Sequence, residues 1–282
     1  MAFEDILLSL TTYPESTKTT AIEDAVALAV ALESKISALA CEVRVSVPSS
    51  PLGSSLLNVS ALVANEEKKS ATNVKESLAA FEKLADAAGV LKDCITEKCL
   101  TSEVPGVIID YARLRDMTIV PFQEADGIES WFAESLIFES GRPVIVLPES
   151  KTWSRRVGLD TVIVAWDFSR NASRAVFDAM PILQKAKRVY ILTVTNEKKI
   201  DTKRSGAELA RYLAGRGVNV SLDVVDAAGR RVDEVFAAQV ALRDANLLVM
   251  GAYGHSRLRE LVLGGATRAM LAQPSVPTFL SH

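Results

Sequence analysis

The chain has 282 residues, 49% hydrophobic and 24% charged; at roughly 150 residues per domain it can build two cores, which excludes a disordered or collagen-like chain. Lys plus Arg number 32 against 35 Asp plus Glu, a net charge of -3, so no basic field draws nucleic acid to the whole molecule. Three cysteines, Cys41, Cys94 and Cys99, are too few and odd in number for a disulfide framework; they fit reduced thiols in a cytoplasm.

The first residues, MAFEDILLSLTTYP, carry Glu4 and Asp5 where an export signal carries Lys or Arg. Ile6–Leu10 reads as a strand. The apolar stretch Ala21–Ala40 has helical character, and its Glu23, Asp24, Glu33 and Lys35 keep it out of a membrane. Val43–Val47 reads as a strand, a Ser-rich loop is expected around Pro48–Asn65, and Cys94 and Cys99 fall in a further strand. Ile119–Val120 and Val144–Leu147 complete the strands of the first half. In the second half the strands are Val162–Trp166, Val189–Val194, Val218–Val224 and Leu247–Met250, with a helix where Val232, Val235, Phe236 and Val240 share one face. Apolar strands alternating with helices make an α/β protein with parallel sheet covered on both faces.

The halves resemble each other. Leu114-Arg115-Asp116 recurs 128 residues later as Leu242-Arg243-Asp244, each before an apolar strand. Pro143 and Pro277, 134 apart, open a final strand in each half, and the first strands beginning at Asp5 and Thr161 lie 156 apart. Drifting offsets imply two diverged copies, with the extra length of the first around Pro48–Asn65. The polar stretch Glu149–Gly158 reads as the linker, which sets the domains at 1–148 and 159–282.

The strongest chemical signal is Met250-Gly251-Ala252-Tyr253-Gly254, followed by Gly264-Gly265-Ala266-Thr267. Glycines permit positive φ and leave no Cβ between backbone N–H groups and an anion; a helix starting near Gly265 aims its free N–H groups at the same place. A phosphate is the natural occupant. A lone G-x2-G would more often be only a tight turn, but the second glycine pair at a helix start points to the anion. At this point the chain resembles the universal stress protein family. Its nucleotide-binding members carry G-x2-G-x9-G-(S/T) after the fourth strand of a five-stranded Rossmann-like sheet, matched by Gly251, Gly254 and Gly264. They also carry an Asp at the end of the first strand, followed by a small residue and Ser; here Asp167-Phe168-Ser169 follows Trp166.

The resemblance implies two Rossmann-like domains of the adenine nucleotide alpha hydrolase-like kind, each with an antiparallel last strand as a further feature. It implies ATP or another adenine nucleotide, with or without Mg2+. Asp167 would meet base or ribose, unless it merely caps a helix as Ser169 could. Gly251, Gly254, Gly264, Gly265, Ala266 and Thr267 would face phosphates, and Met250 with Thr193 or Val194 would flank the base. Gly265 stands where the family has Ser or Thr, so one hydroxyl is missing and binding is weakened by about fivefold. In the first copy Thr11 takes the place of Asp167, Gln123 that of the first glycine, and Glu124 and Asp126 would repel phosphate; this copy is expected not to bind nucleotide. In this family single domains pair through their last strands, so Pro143–Leu147 and Thr278–Leu280 are the expected edges of an intramolecular pair, and a homodimer is the further expectation.

Other candidates are weaker. His255 and Arg257, Arg259 and Arg268 lie in or after the loop and read as solvated; His282 at the end of the sequence reads as mobile; Cys94 and Cys99 lack a His cluster for a metal; Trp131 and Phe132 read as packing. There is no G-x-S-x-G, H-E-x-x-H or Walker sequence, and DFSRNAS lacks the paired glycines of the ATP-pyrophosphatases. The functional expectation is a cytoplasmic, nucleotide-binding stress or energy-state regulator, with a nucleotide-free scaffold or a weak ATPase as alternatives and neither nucleic acid nor membrane as partner.

Overall fold

The computed structural model describes residues 2–45, 59–122, 128–149, 158–196, 206–252, 270 and 276–282. Strand β1 (Asp5–Leu10) leads to α1 (Thr19–Leu32), β2 (Lys35–Arg44), α2 (Val59–Ala87), β3 (Leu91–Leu100), α3 (Val104–Ala112), β4 (Met117–Phe122), α4 (Ile128–Glu139) and β5 (Val144–Pro148). The second half follows with β6 (Thr161–Ala165), α5 (Arg170–Asp178), α6 (Met180–Lys185), β7 (Arg188–Thr195), α7 (Gly206–Ala214), β8 (Val220–Asp226), α8 (Val232–Arg243), β9 (Leu247–Gly251) and β10 (Thr278–Ser281). Among the described residues no helix is long and apolar enough to cross a membrane.

The helix read over Ala21–Ala40 stops at Leu32. Glu33 turns left-handed (φ 56°), the Glu33 and Ser34 N–H groups close onto the carbonyls of Val30 and Ala29, and Lys35–Arg44 becomes β2, which starts eight residues before the expected strand Val43–Val47; Ser46 and Val47 lie outside the described residues. From Ile36 to Cys41 that strand is buried on both faces, which its small residues Ser37, Ala38 and Ala40 permit. The extra length of the first half is likewise helix where it is described: Val59–Asn65 belongs to α2, which has 29 residues against nine in α7.

The ten strands among the described residues form one sheet in the order β3-β2-β1-β4-β5-β10-β9-β6-β7-β8. Each half therefore has the same strand order, running outward from a shared centre. Every neighbouring pair is parallel except β5 and β10, whose antiparallel register sets Val146 opposite Thr278, Ile145 opposite Phe279 and Val144 opposite Leu280. Helices α1, α2, α5, α6 and α7 bury their apolar residues on one face; α3, α4 and α8 do so on the other.

The register also fixes which residues correspond. Ile6 lies beside Met117 as Val162 lies beside Leu247, and Thr118 beside Val144 as Leu248 beside Thr278. The offsets of 156 and 134 hold, whereas the repeated Leu-Arg-Asp is out of step by two residues: Asp116 corresponds to Asn246, not to Asp244. The two do the same work. Asp116 Oδ2 accepts from the Glu4 and Asp5 N–H groups at 2.8 and 2.9 Å, and Asn246 Oδ1 accepts from the Thr161 N–H at 2.9 Å. Asp244 instead sits in the left-handed cap of α8.

Phe279 is fully buried in the seam opposite Ile145. Phe279→Ala should lower the unfolding free energy by about 3–5 kcal/mol, read by urea denaturation. Leu242→Ala, at a side chain 70% exposed, should change it by less than about 0.5 kcal/mol.

Candidate functional site

In an open α/β sheet, ligands bind beyond the carboxyl ends of the strands where the strand order reverses. In the second half that point lies between β6 and β9. The sequence places Asp167 just after β6 and Gly251 at the end of β9, so two segments far apart in the chain leave the sheet side by side.

Local chemistry explains the turn after β6. The Trp166 N–H donates to the Leu192 carbonyl at 2.8 Å and prolongs the strand. Phe168 is left-handed (φ 63°), a strained conformation for a residue with a Cβ. Asp167 Oδ1 holds that turn by accepting from the Ser169 N–H at 3.0 Å. Ser169 then caps α5, its Oγ accepting from the Ala172 N–H at 3.0 Å. The helix cap therefore belongs to Ser169, while Asp167 shapes the turn before it.

Gly251 meets the same helix. A Cβ there would lie 2.4 Å from the Ala172 nitrogen and from the Asn171 carbonyl carbon, so only glycine lets the start of α5 close onto β9. Asn171 fastens the contact, its Nδ2 donating to the Ala252 carbonyl. His282, expected to be mobile, is held there too. Its Nδ1 lies 3.2 Å from Asn171 Nδ2 and 3.3 Å from the Ala252 oxygen, and its ring packs edge-on against Phe138 of α4 at 4.8 Å.

Met250 is buried on the α8 face, with Tyr190 and Leu280 in its cluster; Val194 packs against that cluster, while Thr193 belongs to the opposite face by the alternation of the strand. Of the two residues suggested beside Met250, Val194 shares its face. Thr193 Oγ1 is buried without a hydrogen-bond partner among the described residues. Gly254, Gly264, Gly265, Ala266 and Thr267 lie outside the described residues, as do His255, Arg257, Arg259 and Arg268. Among the described residues no group of three or more His, Cys, Asp or Glu could hold a metal.

The matching point of the first half is built differently. Seven residues separate β1 from Lys18, the residue before α1, against three between β6 and Ser169. That longer segment folds on itself: the Thr11 N–H donates to Thr17 Oγ1 at 2.9 Å and the Thr17 N–H to the Thr11 carbonyl at 3.0 Å. Thr12 Oγ1 donates to the carbonyl of Cys41, the residue corresponding to Val194, at 2.5 Å. Lys18 cannot cap its helix with a carboxylate or hydroxyl; instead both Glu149 carboxylate oxygens lie 3.4 Å from its N–H, and its Nζ donates to the Glu149 carbonyl at 2.9 Å. Glu149, the first residue read as linker, is thus buried against the first half. The register also moves the glycine comparison by two residues: Pro121, not Gln123, corresponds to Gly251. The sequence match misplaced it because Leu-Arg-Asp repeats at the wrong spacing. Gln123, Glu124 and Asp126 lie outside the described residues.

This architecture occurs in solved structures. A universal stress protein from Archaeoglobus fulgidus DSM 4304 aligns over 99% of this chain and 97% of its own, at a TM-score of 0.73 and 17% identity. The fold is that of a universal stress protein. A candidate universal stress protein from Pseudomonas aeruginosa UCBPP-PA14 aligns over 99% and 93%, at 0.58 and 14% identity. A protein of unknown function from Pseudomonas aeruginosa PAO1 does so over 99% and 92%, at 0.56 and 14%. No protein-family model matches the sequence, and a search of curated proteins finds no match.

The Gly251 contact makes a direct prediction for this universal stress protein fold. Gly251→Ala should destabilise by about 1–3 kcal/mol or more, because the new methyl meets backbone on two sides. Gly106→Ala, in α3 with open space around it, should be neutral or stabilising by up to about 1 kcal/mol. Thermal unfolding of the two variants beside the parent checks both.

Proposed function

We propose that the chain is a tandem universal stress protein, with domains 1–148 and 159–282 and a connector over 149–158. In this reading the second domain binds one adenine nucleotide and the first binds none, and the protein acts in the cytoplasm as a stress or energy-state regulator. One observation carries the reading: β6 and β9 are parallel neighbours, so Asp167 and the segment that opens Gly251-x2-Gly254-x9-Gly264 emerge together where the strand order reverses. Asp167 and Gly251, singled out on separate sequence grounds, thereby leave the sheet side by side.

In this reading Asp167 meets ribose or base, and Val194 and Met250 supply the apolar side. The N–H groups of Gly254, Gly264, Gly265 and Ala266 face phosphate oxygens, and the Thr267 hydroxyl adds a donor. The first domain lacks the equivalents. Its Thr11–Thr17 segment folds over the strand ends, Pro121 has no N–H to offer, and the Glu149 carboxylate sits at the start of α1. Bound nucleotide would bias the partner set or conformation of the protein.

A scaffold without nucleotide is the second reading, favoured by Gly251 itself, since close packing against Asn171 and Ala172 already demands a glycine there. Mass spectrometry of nucleotide released from denatured protein, with ATP and AMP titrations of stripped protein, separates the two. About one adenine nucleotide per chain is expected, with Gly254→Val abolishing binding and Thr11→Ala leaving it unchanged. Normal folding and unaltered ATP affinity in Gly254→Val would refute the site, and no binding at millimolar ATP would leave the scaffold.

A further inference from the structure

The fold re-sorts the three cysteines. Cys94 and Cys99 share β3, but five residues apart on one strand they lie on opposite faces. The register instead sets Cys41 of β2 opposite Glu97, and Val43 opposite Cys99, so Cys41 and Cys99 share the α3 face one step apart. Both are buried, at 3% and 6% exposure, and Cys99 is the one buried residue of β3. Burial pushes the Cys41 thiol far above the usual thiol range, and the neighbouring Cys99 sulfur pushes it further. Burial raises Cys99 as well, but there Cys41 acts the other way, donating to the Cys99 sulfur and favouring its thiolate. The two sulfurs are therefore in contact and unequal.

We propose that Cys41 and Cys99 form a reversible dithiol–disulfide pair that hydrogen peroxide oxidises, with Cys99 as the attacking sulfur and Cys41 as the resolving one. The Cys99 thiolate attacks one peroxide oxygen; the O–O bond breaks, the other oxygen leaves as water, and Cys99 becomes a sulfenic acid. The Cys41 sulfur then attacks the Cys99 sulfur, the S–O bond breaks, and the oxygen leaves as a second water with the Cys41 proton. Two thiols and one peroxide give one disulfide and two waters, with two electrons passing from sulfur to oxygen. Strand β3 is a margin of the described sheet with β2 as its neighbour, so opening it costs less than opening a central strand. Peroxide, small and uncharged, enters there where a charged peptide disulfide does not. The surroundings select the product too, since Leu39, Val43, Ile108 and Ala112 of the same cluster favour an uncharged one. A disulfide is uncharged, whereas two thiolates around a monovalent soft ion would bury net negative charge beside Glu97. The state of the pair reaches the first crevice, because the Cys41 carbonyl is the acceptor that holds Thr12 Oγ1.

The test exposes the folded, reduced full chain to hydrogen peroxide, quenches in acid, blocks the remaining thiols under denaturing conditions and maps peptides by mass spectrometry. A Cys41–Cys99 disulfide within one chain, reversed by dithiothreitol, is expected. Amide hydrogen exchange over Leu91–Leu100 should slow by about tenfold as the margin is stapled. Cys41→Ala should leave Cys99 as a sulfenic acid that dimedone traps, whereas in Cys99→Ala dimedone should trap nothing at Cys41. Cys94→Ala should change none of this. The wild-type mapping decides even where an alanine variant fails to fold. Both thiols still free once the exposed Cys94 is fully oxidised, a disulfide that includes Cys94, or dimedone on Cys41 in Cys99→Ala overturns the proposal. So does stoichiometric copper(I) bound by the reduced pair together with no disulfide under peroxide, since the sulfurs would then form a metal site.

Discussion

The antiparallel contact of β5 with β10 is the constraint on which the rest of the molecule depends. Each half ends in a short apolar strand that would otherwise present unpaired N–H and C=O groups at a sheet edge. By pairing these two edges the chain joins two five-stranded sheets into one, buries Ile145 and Phe279 opposite each other, and leaves β3 and β8 as the margins among the described residues. Every other neighbouring pair being parallel, the halves must run in opposite senses across the seam. Contacts over the joint, such as Lys185 with Glu33 at 2.8 Å and Phe138 with His282, add to it without defining it.

Within that frame the halves have kept the architecture and exchanged its parts. An acceptor before the fourth strand holds the start of the first in both, supplied by Asp116 in one and by Asn246 in the other. The start of the helix after the first strand is satisfied by Ser169 in the second half, but by the distant Glu149 in the first. Such substitutions preserve a hydrogen bond while changing the residue that makes it. At the strand ends the changes go further: Pro121, with no N–H, stands where Gly251 stands, and the Thr11–Thr17 segment, closed on itself by hydrogen bonds, replaces the short β6–α5 turn.

Much of this was legible in the sequence. Apolar runs such as Val162–Val164 and Leu247–Met250 announce buried parallel strands, and the prolines at 143 and 277 mark the seam strands. The misreading of Ala21–Ala40 has a physical cause: Ser37, Ala38 and Ala40 are half of the run Ile36–Cys41 that is buried on both faces of β2, and alanine has a low strand preference and a high helical one. The Leu-Arg-Asp repeat misled by two residues because one copy spans the end of a helix and the other lies beyond one. Asp167 and Gly251 could be paired once the fold class implied neighbouring strands. The reason for glycine at 251 could not be read, since it arises only when α5 docks on β9. Nor could the thiol pair, since in the sequence Cys99 stands beside Cys94 and only the register of β2 on β3 brings it to Cys41.

Because the seam joins two halves of one polypeptide, it is indifferent to dilution, whereas a pair of separate subunits would fall apart at low concentration. It also breaks symmetry at the genetic level. In a pair of identical subunits each substitution appears twice and burdens both crevices; here a proline can replace a glycine in one crevice while the other is untouched. The opposed strand directions further carry the two crevices to opposite rims of the sheet, so one rim can be remodelled as a contact surface without crowding the other. A tethered pair of this kind is free to divide labour between its ends.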